Sequence, residues 1–182
     1  APQANARAAR LDTGGILIVG GEAAQGAAAA QIFDPAARTF SSSNVVVART
    51  GAAVASRGRE VLVAGGQSAT GLEDSTEVFD SATRTFSQGV RLGAARRDAA
   101  IASVGTNDMV IAGGRSAQGV VGMVEKLSGT TLGQSQVSAI QPLTSARAAH
   151  TATGISGTKL VVVGGYDAQG VVLATVEVID LA

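Results

Sequence analysis

Four short apolar runs punctuate the chain: ILIV at 16–19, VLVA at 61–64, MVIA at 109–112 and LVVV at 160–163. Each is followed by Gly-Gly. An unbroken apolar run of this length, rich in Val and Ile, suits a strand covered on both faces better than a helix, which needs an apolar stripe at spacings of three and four. Downstream the pattern changes. AAQIFD, STEVFD, GMVEKL and ATVEVID partly alternate between apolar and polar, as a strand with two different faces does. Upstream lie small-residue stretches that begin at an arginine, RTGAAVAS from Arg49, RRDAAIAS from Arg96 and RAAHTATG from Arg147, and these predict a further strand. A fourth strand follows a turn. Asp34-Pro35 and Asp80-Ser81 supply turn residues, and Thr39-Phe40 and Thr85-Phe86 open the next strand, each placing a large ring on a sheet face.

The order of these segments recurs. ILIVGGEAAQG, VLVAGGQSATG, MVIAGGRSAQG and LVVVGGYDAQG begin at residues 16, 61, 109 and 160, so the spacings are 45, 48 and 51 residues. The chain therefore reads as one array of four units, approximately 6–47, 48–94, 95–145 and 146–182, each an antiparallel four-stranded meander. The alanine-rich AQGAAAAQIF has the propensity of a helix. Its register matches TGLEDSTEVF, which is poor helix material, and units that stack on one another share one structure.

This unit resembles the kelch repeat, whose blades stack radially into a β-propeller. The resemblance covers essentially the whole chain. It rests on the arginine that begins the unit, the apolar run closed by Gly-Gly, the Glu-x-aromatic-Asp of the third strand and an aromatic six residues after that Asp. The second repeat carries them all in Arg49, Gly65, Gly66, Glu77, Phe79, Asp80 and Phe86. The array departs from the family pattern where Phe40, Phe86 and Leu132 stand in place of the usual Trp, and where Ser128 replaces the Asp of the third repeat. The resemblance implies an all-β fold, a kelch-type β-propeller segment of four antiparallel four-stranded blades. The last blade is incomplete, because the fourth repeat stops at VEVIDLA. Its second strands are predicted to be the most buried and to lie near the propeller axis. Kelch propellers close with six or seven blades, so the resemblance also implies further blades, from another chain or another segment.

Composition narrows the function. With 14 Lys and Arg against 14 Asp and Glu, no net field draws the chain to nucleic acid or to an anionic membrane. No apolar stretch approaches the roughly 20 residues that span a bilayer. The 182 residues contain no cysteine, which excludes disulfides and thiolate metal sites and leaves the compartment open. The first residue is Ala1 and no signal peptide is present, which reads as a processed product or a piece of a longer polypeptide.

Candidate chemistry is sparse. Gly-Gly suits close backbone approach and positive φ, and no GxxxxGK[ST] string supports phosphate binding. Arg49, Arg96 and Arg147 recur at one place in the unit, as do Glu77, Glu125 and Glu177, with Gln31 in the first repeat. Repetition points to framework bonds within or between blades, since catalytic carboxylates would be unique. His150 is the single histidine, and it cannot build a His-based metal centre alone. The copper-radical oxidases of the kelch fold use Tyr, Cys and two His, a set this chain lacks. No catalytic residue, metal or cofactor is assigned.

What varies on the repeated frame are the residues after Gly-Gly, Glu22, Gln67, Arg115, Tyr166 and Asp167. In peptide-binding kelch proteins the loops leaving the second strand and those entering the first share one end of the propeller and carry ligand contacts. Carried over by position, that end adds Thr50, Arg97, Asp98 and His150. The expected function is a non-enzymatic binding or assembly module that presents these loops to a protein or glycan partner. The alternative is a fragment of a larger kelch-type enzyme acting on carbohydrate, which the 3% aromatic content and absence of Trp disfavour.

Overall fold

The computed structural model of the protein describes residues 4–23, 26–27, 30–45, 47–155 and 157–181. Four antiparallel sheets follow one another along the chain, each a meander. Blade one contains Arg7–Arg10, Ile16–Val19, Ala30–Asp34 and Thr39–Ser43. Blade two contains Ala53–Arg57, Glu60–Ala64, Thr76–Asp80 and Thr85–Gln88. Blade three contains Ala100–Val104, Asp108–Ala112, Val124–Ser128 and Gln136–Ile140. Blade four has three strands among the described residues, Thr151–Ile155, Lys159–Val163 and Val176–Asp180, so Val176–Asp180 is a sheet edge. The alanine-rich stretch enters a strand at Ala30, as its register requires.

The turns between third and fourth strands follow from one residue type. Asp34 Oδ1 accepts the backbone N–H groups of Ala36 and Ala37 at 2.8 and 3.1 Å, and Asp80 Oδ1 accepts those of Ala82 and Thr83 at 2.8 and 3.3 Å. Each tight turn then passes through a left-handed arginine, Arg38 or Arg84, at φ 56° or 57°. In blade three the residue is Ser128, and no such turn forms. The connection runs through a 3₁₀ turn at Leu132–Gln134 before the fourth strand starts at Gln136. Leu132, expected to open that strand as Phe40 and Phe86 do, therefore sits in the turn, where it is fully buried in the cluster between blades two and three.

Strand alternation decides which neighbour each side chain meets. In blade two, Val61, Val63 and Phe79 face blade one and join Leu17, Val19 and Ile32, while Leu62, Ala64 and Val78 face blade three and join Ile101, Met109 and Ile111. In blade three, Val110 and Ala112 pack on Leu160 and Val162 of blade four. The second strands of the two middle blades are the most buried of all, with Val61–Ala64 and Met109–Ala112 at 1% exposure or less. They are not the innermost. The first strands of successive blades touch one another, and Ala9, Val54, Ala55, Ala102 and Gly154 line a shared axial cavity of about 360 Å³. The axis is crowded, which selects small residues for the first strand. A side chain at Gly154 would meet the Ser103 carbonyl oxygen at 2.1 Å. Burial of the second strand comes instead from its place between two sheet neighbours and two blades.

The recurrent arginine and glutamate form one clamp in each of blades two, three and four. Arg49 pairs with Glu77, Arg96 with Glu125 and Arg147 with Glu177, each at 2.6 Å. All three arginines are essentially inaccessible to solvent. Arg49 also donates to the carbonyls of Val47, Gly65 and Ser75, and Arg147 to those of Ser145, Gly164 and Thr175. The glutamates accept backbone N–H groups from the segment leading into the blade, from Val47, Gly93, Thr144 and Ser145. The pairs thus fasten third strand to incoming chain inside one blade. Gln31 in blade one lacks the charge, and by register its partner position falls on residue 3, outside the described residues.

Candidate functional site at the axial end

Each blade begins with a left-handed residue where the chain turns into the first strand. Asn5, Gly51, Asp98 and Ala149 have φ of 59°, 62°, 56° and 54°. The residue before each one bridges the residue after Gly-Gly, pairing Ala4 with Glu22, Thr50 with Gln67, Arg97 with Arg115 and Ala148 with Tyr166. The second glycine makes this approach possible. A side chain at Gly66 would lie 2.8 Å from the Thr50 carbonyl oxygen, and one at Gly165 would lie 2.5 Å from that of Ala148. The turns are also linked across blades. Asp98 N donates to Gly51 O at 2.8 Å, and Ala149 N donates to Asp98 O at 2.9 Å.

This linked rim surrounds a cavity of about 270 Å³ lined by Asn5, Glu22, Thr50, Gly51, Arg97, Asp98, Ala149 and Tyr166. Every blade contributes. Asp98 Oδ1 lies where a Cβ on Gly51 would stand, 2.8 Å away, so glycine there leaves room for the carboxylate. Arg97 Nε lies 3.5 Å from Asp98 Oδ2. Glu22 is exposed and makes no ion pair among the described residues. Two carboxylates, one guanidinium already facing one of them and a phenol make a polar recess with an excess of one negative charge.

Of the residues singled out in the sequence, Glu22, Thr50, Arg97, Asp98 and Tyr166 meet in this recess. Gln67 is exposed beside it, and its backbone exchanges two hydrogen bonds with Thr50. Arg115 bridges Arg97 through the backbone, and its half-buried side chain does not line the cavity. Asp167 closes its own loop, with Oδ1 accepting the N–H groups of Gln169 and Val171 at 2.9 Å each. His150 points inward. It is one residue beyond the left-handed position, equivalent to the buried Ala52 and Ala99, and is only 7% exposed. Burial, reinforced by the Arg147 charge, pushes its pKa down from 6.5 to about 4. Neither ring nitrogen has a full hydrogen-bond partner among the described residues.

Asn5 and Ala149 were missed by reading the sequence alone. The available signal was position: Ala149 lies two residues after the framework Arg147, and Asn5 follows Ala4 as Ala149 follows Ala148 once Ala4, Thr50, Arg97 and Ala148 are placed in one column. Among the described residues no three His, Cys, Asp or Glu side chains gather as a metal site, and no helix is long and apolar enough to cross a membrane.

Comparison with known proteins agrees with this architecture. A family model described as the kelch motif matches residues 48–93 and 147–182. Two of the four repeats thus match the kelch motif, and the fold is that of a kelch-type β-propeller segment. Among solved structures it is similar to one titled "Structure of YjhT", with a TM-score of 0.74 and 18% identity over 91% of this chain and 60% of that one. The chain thus spans less than two thirds of that structure's length. In all, 192 solved chains match, so the likeness fixes the fold and selects no function. No curated protein sequence matches.

Proposed function

We propose that the chain is a protein-binding module whose axial end takes a basic side chain of its partner. The observation that carries this reading is the contrast at the rim. Four turns share one backbone conformation and one set of bridges, while their side chains are all different. A frame held constant beneath varied polar groups serves recognition better than stability. The recess offers Glu22 and Asp98 to a cation, Tyr166 as a hydrogen-bonding and stacking surface, and Arg97 to orient Asp98.

Selection of a displayed random-peptide library on the folded chain tests the proposal. Enriched peptides should carry Lys or Arg, and Glu22→Gln with Asp98→Asn should weaken them at least about tenfold, the lower end of the scale for one charge-assisted hydrogen bond. Absence of enrichment, or peptides whose affinity ignores both substitutions, overturns it.

A further inference from the structure

Below the rim the axial wall carries one charged side chain. The residues three positions after the bridged ones, Arg7, Ala53, Ala100 and Thr151, occupy corresponding places at the first strands of the four blades. Three are small and the fourth is an arginine. All four line a second axial cavity of about 410 Å³, which shares Ala149 with the recess above it. That volume falls within the roughly 300–1,000 Å³ of small-ligand sites.

Ala9 packs in the cluster between blades one and two, and Arg7, two residues earlier on the same strand, shares its side. Arg7 therefore faces blade two, so its surroundings are set inside the array and not at an end of it. Its side chain is half-buried and forms no hydrogen bond or ion pair among the described residues. Arg49, Arg96 and Arg147, by contrast, are each clamped to a glutamate at 2.6 Å. His150 stands in the wall of the same cavity, 7% exposed and without a full partner for either ring nitrogen among the described residues. A neutral imidazole keeps one N–H to donate. No Asp or Glu is among the residues that line this cavity, so an anion there meets donors and no opposing carboxylate.

We infer that Arg7 holds the C-terminal carboxylate of the partner, so that the basic side chain taken up by the recess belongs to the partner's last or next-to-last residue. One guanidinium forks onto one carboxylate through two parallel N–H bonds and leaves no charge over. A chain end fits better than an acidic side chain from mid-chain, because a backbone that entered and left again would need room for two strands in a recess of about 270 Å³. This assignment rests on the recess being the binding surface, and it names the part of the partner that lies beneath.

Nitrogen–proton NMR titration of the full chain with acetyl-Gly-Lys and acetyl-Gly-Lys-Gly, each as free acid and as amide, tests the assignment. The acid form of at least one should bind at least about tenfold tighter than its amide, the scale of a charge-assisted hydrogen bond, and should shift the Arg7 side-chain and Thr151 backbone signals. Arg7→Gln should abolish that preference and Arg7→Lys should keep part of it, both with the parent's melting curve, since Arg7 makes no side-chain bond to the fold. Glu22→Gln with Asp98→Asn should weaken acid and amide alike, which reads the recess separately. Equal affinity of acid and amide, or a preference that survives Arg7→Gln, overturns the carboxylate site, and the recess reading stands if the double variant still weakens both forms. Failure of all four peptides to bind at millimolar concentration overturns the two together.

Discussion

Glu77→Ala probes the clamp that holds each blade to its incoming chain. Glu77 Oε1 accepts from Arg49 at 2.6 Å and from Val47 N at 3.0 Å, with the two side chains 1% and 2% exposed. Removing the carboxylate strands a guanidinium where water cannot reach it and leaves the Val47 N–H without its acceptor. Arg49 keeps its bonds to the carbonyls of Val47, Gly65 and Ser75, so the loss is that of one buried partner, about 3–5 kcal/mol. At ~2–4 °C per kcal/mol for a chain of this size, the melting temperature should fall by roughly 10 °C. Arg49→Leu combined with Glu77→Leu removes the stranded charge but deprives the Gly65 and Ser75 carbonyls of a donor, so it should recover part of the loss and not all of it. Circular dichroism melts and urea titrations read both variants. A Glu77→Ala protein within about 1 kcal/mol of the parent would refute the reasoning, because it would mean that the buried pair contributes no more than a surface one.

Val63→Asp, at a position 1% exposed between blades one and two, should abolish soluble expression or cost several kcal/mol, and normal solubility with an unchanged melt would contradict the packing. Gly65→Ala should destabilise far more than Gly164→Ala: both have φ near 70° and share the left-handed cost of about 1–2 kcal/mol, but only Gly65 faces another blade's carbonyl at 2.4 Å; equal losses in urea would remove the argument. His150 is held neutral in the fold while the unfolded chain takes up its proton near pH 6.5, so its stabilisation is complete above that pH and is lost as pH falls towards about 4, on the order of 3 kcal/mol in all. His150→Gln should flatten that slope in pH-dependent urea titrations. Burial raises the Glu177 carboxyl, but the N–H groups of Thr144 and Ser145 and the Arg147 guanidinium outweigh it and hold the pKa below 4.5. Its contribution is therefore present above 4.5 and lost below, giving a second decline that Glu177→Gln should remove.

Periodicity made the blades readable because the apolar runs, the Gly pairs and the Glu-x-aromatic-Asp segments each mark a fixed place in the unit. The framework role of Arg49, Arg96 and Arg147 was readable for the same reason, although the repeat alone left open whether each clamp closes within its own blade, as it does, or between blades. The position of the axis was not readable. An unbroken apolar run reports burial, and burial is greatest between blades, whereas the axis takes the small residues Ala55, Ala102 and Gly154, which look unremarkable in sequence. The blade-three turn was misread at Leu132 because apolar character carries a residue to the core from a turn as readily as from a strand. At the site, Glu22, Arg97, Asp98 and Tyr166 could be nominated from register alone. His150 could not be separated from them, since a shift of one residue past a left-handed turn reverses the direction of a side chain.

The central functional claim is that the axial recess is the binding surface, and a nitrogen–proton NMR titration of the chain with a library-selected basic peptide tests it most directly. Chemical-shift changes should concentrate at Glu22, Thr50, Asp98, Ala149 and Tyr166. Changes concentrated instead at Thr13, Ala36 and Arg84, which line the groove of about 420 Å³ at the turns between third and fourth strands, would contradict the account.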